Sequence, residues 1–580
     1  MPTEPNSMTL GVFFLTILLT ALLVMIFSFI ASLVIAVIRP RLLVKSVLPA
    51  LGLTFVLAVI TSYFFLPAWT MLSLAGPNLV ALLVFSAIFY ALARTSGEGV
   101  PDKSINISAL GGAVILLFLI VLLVRSLFSY GETHEAIDNN SQVADNPPSF
   151  SEEETPVQVA PESARNKMQK AMSEVENAQF YDFGDIQAQV IDGEPMYVAN
   201  VDYTNLFRWF RGDGTPGYFQ ISAVDPNDNP TFVESPMQYT NSSFFNEKLN
   251  RVIYSAFPSW YQSGSTYLEV DEEGKPWYVQ TVYQNRALTW HTDHTNAQVV
   301  VVDPETGDAS KYKPDDAPSF VESVYSPAMA SDMNDKYGKY GQGLLNYMFG
   351  KEDVLIPNEN GTENKVTPVF DAEGNMSYFT DFTSPNEDSD STLGVSFIDA
   401  RTGELRLYNG EEYTGAMDTQ GARGIVNRQF PEKEWTGSMP IMYNINGNAT
   451  WVVNTLDPAG LFRQYAYIKA NDADVYAFGD TAQGALENYR SALASTDEGV
   501  EASEADREEA EGTVDRVVIT SGAEDANLVQ FKLEGDETLY VYNTSSDADA
   551  VLMQEGDEIS FTVNRSEDIG TVQEITDQPW

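Results

Sequence analysis

The chain changes its pattern near residue 130. Before that point apolar residues run almost unbroken, and after it they alternate with polar ones in short runs punctuated by glycine. Thr9 to Ile38 is one uncharged apolar stretch, long enough to cross a bilayer even when tilted. It has no basic stretch before it and no small-residue cleavage box after it, so it predicts a retained span rather than a removable signal peptide. Ser46 to Ala93 is also uncharged and divides at Pro67-Ala-Trp69 and Gly76-Pro77 into spans near 47–66 and 76–93. Ile107 to Val124 makes a fourth. One acid or base at mid-bilayer costs about 2.5–3.5 kcal/mol on insertion scales, and these spans hold none. Ion and proton paths rely on such groups, so the four-helix bundle reads as an anchor.

Beyond residue 180 one pattern recurs four times. A glycine turn leads into an aromatic-rich strand at Asp192-Gly193, Glu273-Gly274, Glu373-Gly374 and Asn446-Gly447. A second strand then ends in an aspartate turn at Asp225, Asp303, Asp399 and Asp472, two of them as Asp303-Pro-Glu-Thr-Gly307 and Asp399-Ala-Arg-Thr-Gly403. Glycine supplies the positive φ of a tight hairpin, and aromatic and β-branched alternation suits a half-buried strand. Helix-permissive stretches follow at Phe244–Ser255, at Pro318–Tyr325 with Gly341–Phe349, at Thr414–Gln429 and at Thr481–Ala494. The glycines are too unevenly spaced for a solenoid of fixed geometry. The expectation is a membrane-anchored α+β protein with small modules, each an antiparallel sheet with a helix on one face. Modules 1 and 2 fall in 162–330, modules 3 and 4 in 331–495. Ala164 to Gln179 adds a helix with Met168, Met172 and Val175 on one face.

Two acidic stretches, 131–161 and 496–511, read as solvated linkers. After the second, residues 512–580 show five strand-like runs, with a short apolar turn at Ala550–Met553 between the third and fourth. Five strands with such an insert resemble an OB-fold barrel.

Charge narrows the partners. The formal net charge is −48, and residues 1–130 carry six Lys or Arg against three acids, so the remainder holds −51. Residues 512–580 have three bases against fifteen acids. Single-stranded nucleic acid needs a basic groove, which excludes it as the working partner. Arg39, Arg41, Lys45, Arg94 and Lys103 lie in the first and third loops, and the second loop is uncharged. The positive-inside rule then puts both termini and the large C-terminal part outside the plasma or inner membrane, with Arg125 as a weak counter-argument. A 580-residue chain without cysteine has no disulfide or thiolate metal site and points to a bacterial or phage source.

Candidate chemistry is sparse. His291-Thr-Asp293-His294 offers two imidazoles and a carboxylate, but at a spacing that suits neither a helix face nor alternate strand positions. Asp225-Pro-Asn227-Asp228-Asn229 and Asp303-Pro-Glu305-Thr-Gly-Asp308 carry oxygens suited to calcium, at places where turns are needed anyway. No nucleophile elbow, phosphate loop, dinucleotide fingerprint or His-Glu-x-x-His occurs. No catalytic, cofactor-binding or metal residue is assigned.

The glycine–aromatic hairpin followed by strand, Asp-x-x-Thr-Gly and strand resembles the PepSY type of module, found in extracytoplasmic bacterial proteins. Gly214-Thr-Pro-Gly217-Tyr218, Ile441–Gly447 and Asp457-Pro-Ala-Gly460-Leu461 carry the likeness further. The layout is similar to bacterial and phage-encoded multi-pass membrane proteins with a large C-terminal ectodomain. The resemblance implies binding or restraint of partner proteins at the cell envelope and transfers no catalytic residue. The expected function is a non-enzymatic envelope protein that binds a partner or assembles into a homo-oligomer. The alternative is an envelope hydrolase of glycan or peptide that uses paired carboxylates.

Overall fold

The computed structural model describes residues 10–95, 102–144, 159–358, 365–371, 374–385, 391–410, 413, 415–445, 447–494, 508–521, 527–536, 538–544, 548–566, 569–577 and 579. The chain divides into two compact units, one of residues 1–143, 164–387 and 396–407, the other of 144–163, 388–395 and 408–580.

The first unit opens with α1 (Leu10–Val24), α2 (Ile26–Ile38), α3 (Leu48–Phe65), α4 (Met71–Thr95) and α5 (Asp102–Leu127). Among the described residues, three helices are long and apolar enough to cross a membrane: Leu43–Phe65, Met71–Thr95 and Leu110–Leu127. The expected unbroken first span is corrected. α1 and α2 meet at a bend of 57° and make a fourth span only if taken together. The bend sits at Met25, where Asn78 of α4 enters the helix. Its Nδ2 donates to Leu23 O at 2.9 Å and its Oδ1 accepts from Phe27 N. Leu23 O and Phe27 N are the pair an unbroken α-helix would join, so one side-chain amide replaces one helical bond and keeps both groups satisfied. Ala21, Val24 and Met25 then pack on Ala58 and Ala81, whose small side chains allow the close approach. Above the bend, Phe13 and Ile17 enter a core with Val198, Tyr218, Leu249, Val252 and Ile253 of the modules. The outward faces of the helices carry exposed leucines such as Leu15, Leu33, Leu83 and Leu117.

The same meander recurs four times. In the first module Tyr181–Ile191, Glu194–Tyr203, Thr215–Ser222 and Thr231–Met237 pair in chain order, all antiparallel. Its hairpin has Asp192 at φ 55° and Gly193 at φ 82°, the two positive values that a twist-matched two-residue turn demands. The second runs Tyr267–Val270, Pro276–Tyr283, Gln298–Val302 and Ala309–Tyr312, with Tyr261–Gln262 added beside Pro276–Tyr283. The third runs Thr367–Phe370, Met376–Thr383, Thr392–Asp399 and Leu405–Tyr408, with short strands Ser141–Ala144 and Ile356–Pro357 at its edges. Helices Leu249–Ala256 and Pro327–Tyr340 join these sheets. The expected helix at Pro318–Tyr325 does not form. The residues there make a turn, with Val321 N on Pro318 O, and irregular chain, and the helix starts two residues later, with Ser326 capping Met329 N and Pro327 in its first turn. One core runs through all three modules, from Tyr197 and Phe219 through Val299 and Val301 to Met333, Phe382 and Ile398. Met168 and Val175 bury into it from helix Pro161–Ala171 and the turn that follows.

In the second unit the fourth meander is Thr436–Ile445, Asn448–Leu456, Phe462–Lys469 and Tyr476–Gly479, with helices Thr419–Gln429 and Ala482–Ala494. Trp451 is fully buried and donates its indole N–H to Met417 O. The last five strands pair in a closed ring: Glu508–Ser521, Asn527–Leu533, Leu539–Asn543, Ile569–Asp577, Glu558–Ser566 and back to the first. The first begins at Glu508, inside the stretch read as linker. Likewise helix Tyr130–Asp138 and strand Ser141–Ala144 fold part of the other acidic stretch.

Candidate functional site

The Asp-x-x-Thr-Gly turns of modules two and three do local work. Asp303 Oδ1 accepts from Glu305 N and Thr306 N, its Oδ2 takes Lys275 Nζ at 2.7 Å, and Gly307 stands at φ 74°. Asp399 Oδ1 accepts from Arg401 N and Thr402 N in the same way. Of the acids considered for calcium, Asp225, Asp228 and Asp303 are bonded to backbone N–H groups, and among the described residues no group of three or more His, Asp or Glu could hold a metal ion.

Arg401, in one of these turns, points into the polar centre of the first unit. Its guanidinium donates to Ala317 O, Pro318 O and Val321 O and clamps the turn before Glu322. Glu269, on strand Tyr267–Val270, is wholly buried, and its two oxygens accept from Glu322 N and Ser323 N at 2.8 and 3.1 Å. Gln189 joins this network with its amide on Val270 O and Val270 N, and Tyr378 OH donates to Ser323 Oγ. Burial pushes the Glu269 carboxyl up to about 7 against the pull of those N–H groups. Burial and the neighbouring Glu269 push half-buried Glu322 up to about 8, with Arg401 opposing. Here are two acids and one arginine brought together from the second module, the third module and the segment that joins them. Chemically the group can hold a proton near neutrality. Sequence reasoning missed it; the one signal was an acid inside the otherwise apolar run Tyr267-Leu-Glu-Val270.

The histidines do not converge. His291 donates Nε2–H to Ser126 O at 2.8 Å, at the end of α5, and its ring meets Tyr130 edge-on at 4.3 Å. Burial lowers its pKa, with the Ser126 bond opposing. His294 instead bonds Asp332 at 2.7 Å, on helix Pro327–Tyr340. Burial alone would raise Asp332, but His294 and Lys336 bring it down to about 2. His134 bonds Tyr337 O. Each fastens one segment to another, and Asp293 takes only nearby Thr295 and Asn296.

The remaining joints link modules to helices. Tyr254 OH meets Thr20 Oγ1 at 2.9 Å and Pro67 O at 2.8 Å, and Thr20 also accepts from the Trp69 indole. Arg251 donates to Tyr63 OH at 2.7 Å and lies 4.2 Å from that ring's centre. Between α1, α3 and α4 a groove of about 520 Å³ is walled by Val24, Phe65, Pro77 and Val84. Ser62 Oγ is buried beside it and has no partner among the described residues.

No family profile matches the chain, and a search of curated proteins finds no relative. Among solved structures, the sialidase of Trypanosoma rangeli aligns at 9% identity, covering 68% of this chain and 54% of the sialidase, with a TM-score of 0.16. The α-L-arabinofuranosidase from Lactobacillus brevis aligns at 10% identity over 69% of this chain and 96% of that one, also at 0.16. The chain thus spans about half the length of the sialidase, and likenesses this slight carry no argument about fold or chemistry.

Proposed function

We propose that the chain is a non-enzymatic envelope membrane protein whose acidic extracytoplasmic modules bind a protein partner or assemble with further copies. The observation that carries this reading is the way the modules are bonded to the helices. Tyr254 to Thr20, Arg251 to Tyr63 and His291 to Ser126 hold the first unit on its bundle from three helices. Such joints hold a folded surface at set height and orientation above a membrane, which suits presentation to a partner. The meanders support the PepSY-like reading through their repeated glycine hairpin, Asp turn and helix. The ring order of the last five strands, with its one parallel pairing between Leu539–Asn543 and Ile569–Asp577, supports an OB-like barrel. In the bundle Ala58 is buried, and a Cβ at Gly111 would lie 3.3 Å from Leu82, while Gly52, Ala91 and Ala113 face outward, free to pack on a neighbouring copy.

Native mass spectrometry of detergent-solubilised protein tests self-assembly. Species at multiples of 64.1 kDa that shift toward single chains in Gly52→Leu are expected. A single chain unchanged by concentration or cross-linking removes self-assembly and leaves partner capture by cross-linking in native membranes as the remaining arm. The hydrolase reading is favoured by one observation, the Glu269–Glu322 pair with its raised pKa values. Against it, both Glu269 oxygens are already taken by backbone N–H groups.

A further inference from the structure

Outward-facing aromatic residues beyond position 130 are not scattered. Among the described residues, the large exposed ones are Phe207, Phe210, Phe245, Trp290 and Phe349, and each sits on a loop tied to the end of a membrane-length helix. Phe207 is 77% exposed on the short helix Leu206–Trp209, whose N–H groups are capped by Asn205, and Phe210, just past its end, is 65% exposed. The Phe210 ring lies 6.2 Å from that of Phe245, and Phe245 O accepts from the same Arg251 Nη1 that donates to Tyr63 in the last turn of α3. Trp290 projects from a tight turn whose backbone is bonded to Ser126 at the end of α5, with Leu288 exposed beside it. Phe349 is 77% exposed, next to exposed Leu345 and Met348. Its segment is held by Tyr347 on Tyr340, and Tyr340 on Tyr130, three residues past α5.

The charge of these loops departs from that of the domain that carries them. Residues 206–212, 284–291 and 343–351 contain Arg208, Arg211, Arg286 and Lys351, with Asp213, Asp293 and Glu352 as the next acids along the chain and Glu247 accepting from the Trp209 indole, in a part of the chain whose net charge is −51. Exposed aromatics beside the ends of apolar helices, with bases among them, are what a bilayer's headgroup layer accepts. Amphipathic rings favour that depth, and bases meet lipid phosphates.

We propose that these three loops form a collar that dips into the headgroup layer of the membrane around the helix bundle, with the four bases on phospholipid phosphates. The first unit is then bound to the lipid surface by its own base as well as through its helices. The collar rests on the reading of the apolar helices as spans.

The cysteine-free chain allows a direct test. Single cysteines at Phe210, Phe349, Val224 and Leu83 are labelled with a nitroxide in the full chain, reconstituted in vesicles of zwitterionic and anionic phospholipid. Relaxation by dissolved oxygen is compared with relaxation by a polar nickel chelate. Leu83, exposed on α4, reports the spans, and Val224, at the first module's Asp turn, reports water. The ratio of oxygen to chelate accessibility at 210 and 349 is expected several-fold above that at 224. Ratios equal to that at 224, with Leu83 in lipid, overturn the collar and leave the spans intact. A Leu83 label open to the chelate overturns the span reading and the collar with it. Labels at 210 and 349 shielded from both relaxants, with spin–spin broadening, assign the surface to a second copy and also overturn the collar.

Discussion

Asn78 Nδ2 donates to Leu23 O at 2.9 Å, across from the backbone N–H of Phe27 that would otherwise hold that oxygen. Through this one amide, an uncharged residue of α4 sets the direction of α1. The bend turns Phe13 and Ile17 toward the modules and Thr20 toward Tyr254.

Replacing Asn78 with leucine should therefore do more than remove two hydrogen bonds. Either Leu23 O and Phe27 N stay unpaired, at a cost of about 1–3 kcal/mol, or the helix straightens and pulls Thr20 from Tyr254. The expected result is a lower melting temperature in detergent and faster proteolysis near residues 249–256. Unchanged melting and cleavage would show that the bend is held by packing alone.

The Glu269–Glu322 pair makes stability depend on pH. Both carboxyls are raised in the folded protein, to about 7 and about 8, above the ordinary value of 4.5. Their contribution is then fully present below about 4.5 and is lost as pH rises through 7 to 8. For Glu269 alone the opposing free energy above that range is on the order of 3 kcal/mol. Melting temperature should fall between pH 5 and pH 8.5, and Glu322→Gln, which removes one proton site and the charge beside Glu269, should flatten the fall. Parallel curves for the two proteins would refute the assignment.

His291 acts in the opposite sense. Its pKa is lowered by burial, so the neutral ring is the folded form, and its contribution is present above about 6.5 and lost as pH drops through the depressed value. His291→Phe keeps a ring against Tyr130 and loses the bond to Ser126, at a cost of about 1 kcal/mol near neutrality. The variant's melting curve should lose its decline below pH 6; a decline as steep as in the parent would move that titration to another group.

Topology is the fourth prediction. The modules are bonded to the ends of α3 and α5 at Tyr63 and Ser126, away from the helix ends that carry Arg39, Arg41, Lys45 and Arg94. With those bases in the cytoplasm, protease added to intact protoplasts should digest the modules. Protection until lysis would reverse the orientation.

The residues that sequence reasoning read well are those whose conformation is decided by near neighbours. Gly193, Gly274, Gly374 and Gly447 all stand near φ 80°, because a tight hairpin leaves a left-handed position that only a residue without Cβ fills cheaply. The Asp303 and Asp399 turns and the strand runs after them follow from the same short-range chemistry. Apolar length marked the membrane-length helices for a similar reason, since hydropathy is a property of the segment itself. The bend at Met25 had no such local signal. Thr9–Ile38 contains neither proline nor a charge, and the group that opens the helix comes from position 78. Glu269 and Glu322, two of 81 acids, became a pair only when the second module's strand and the segment clamped by Arg401 were packed together. The exposure of the loop aromatics is likewise decided by tertiary structure. Nothing along the chain sets Phe210, Trp290 and Phe349 apart from the other aromatics, and only the folded first unit leaves all three exposed. Local turns and segment hydropathy are written in short stretches of chain, whereas burial, charge coupling and helix direction depend on which distant residues meet.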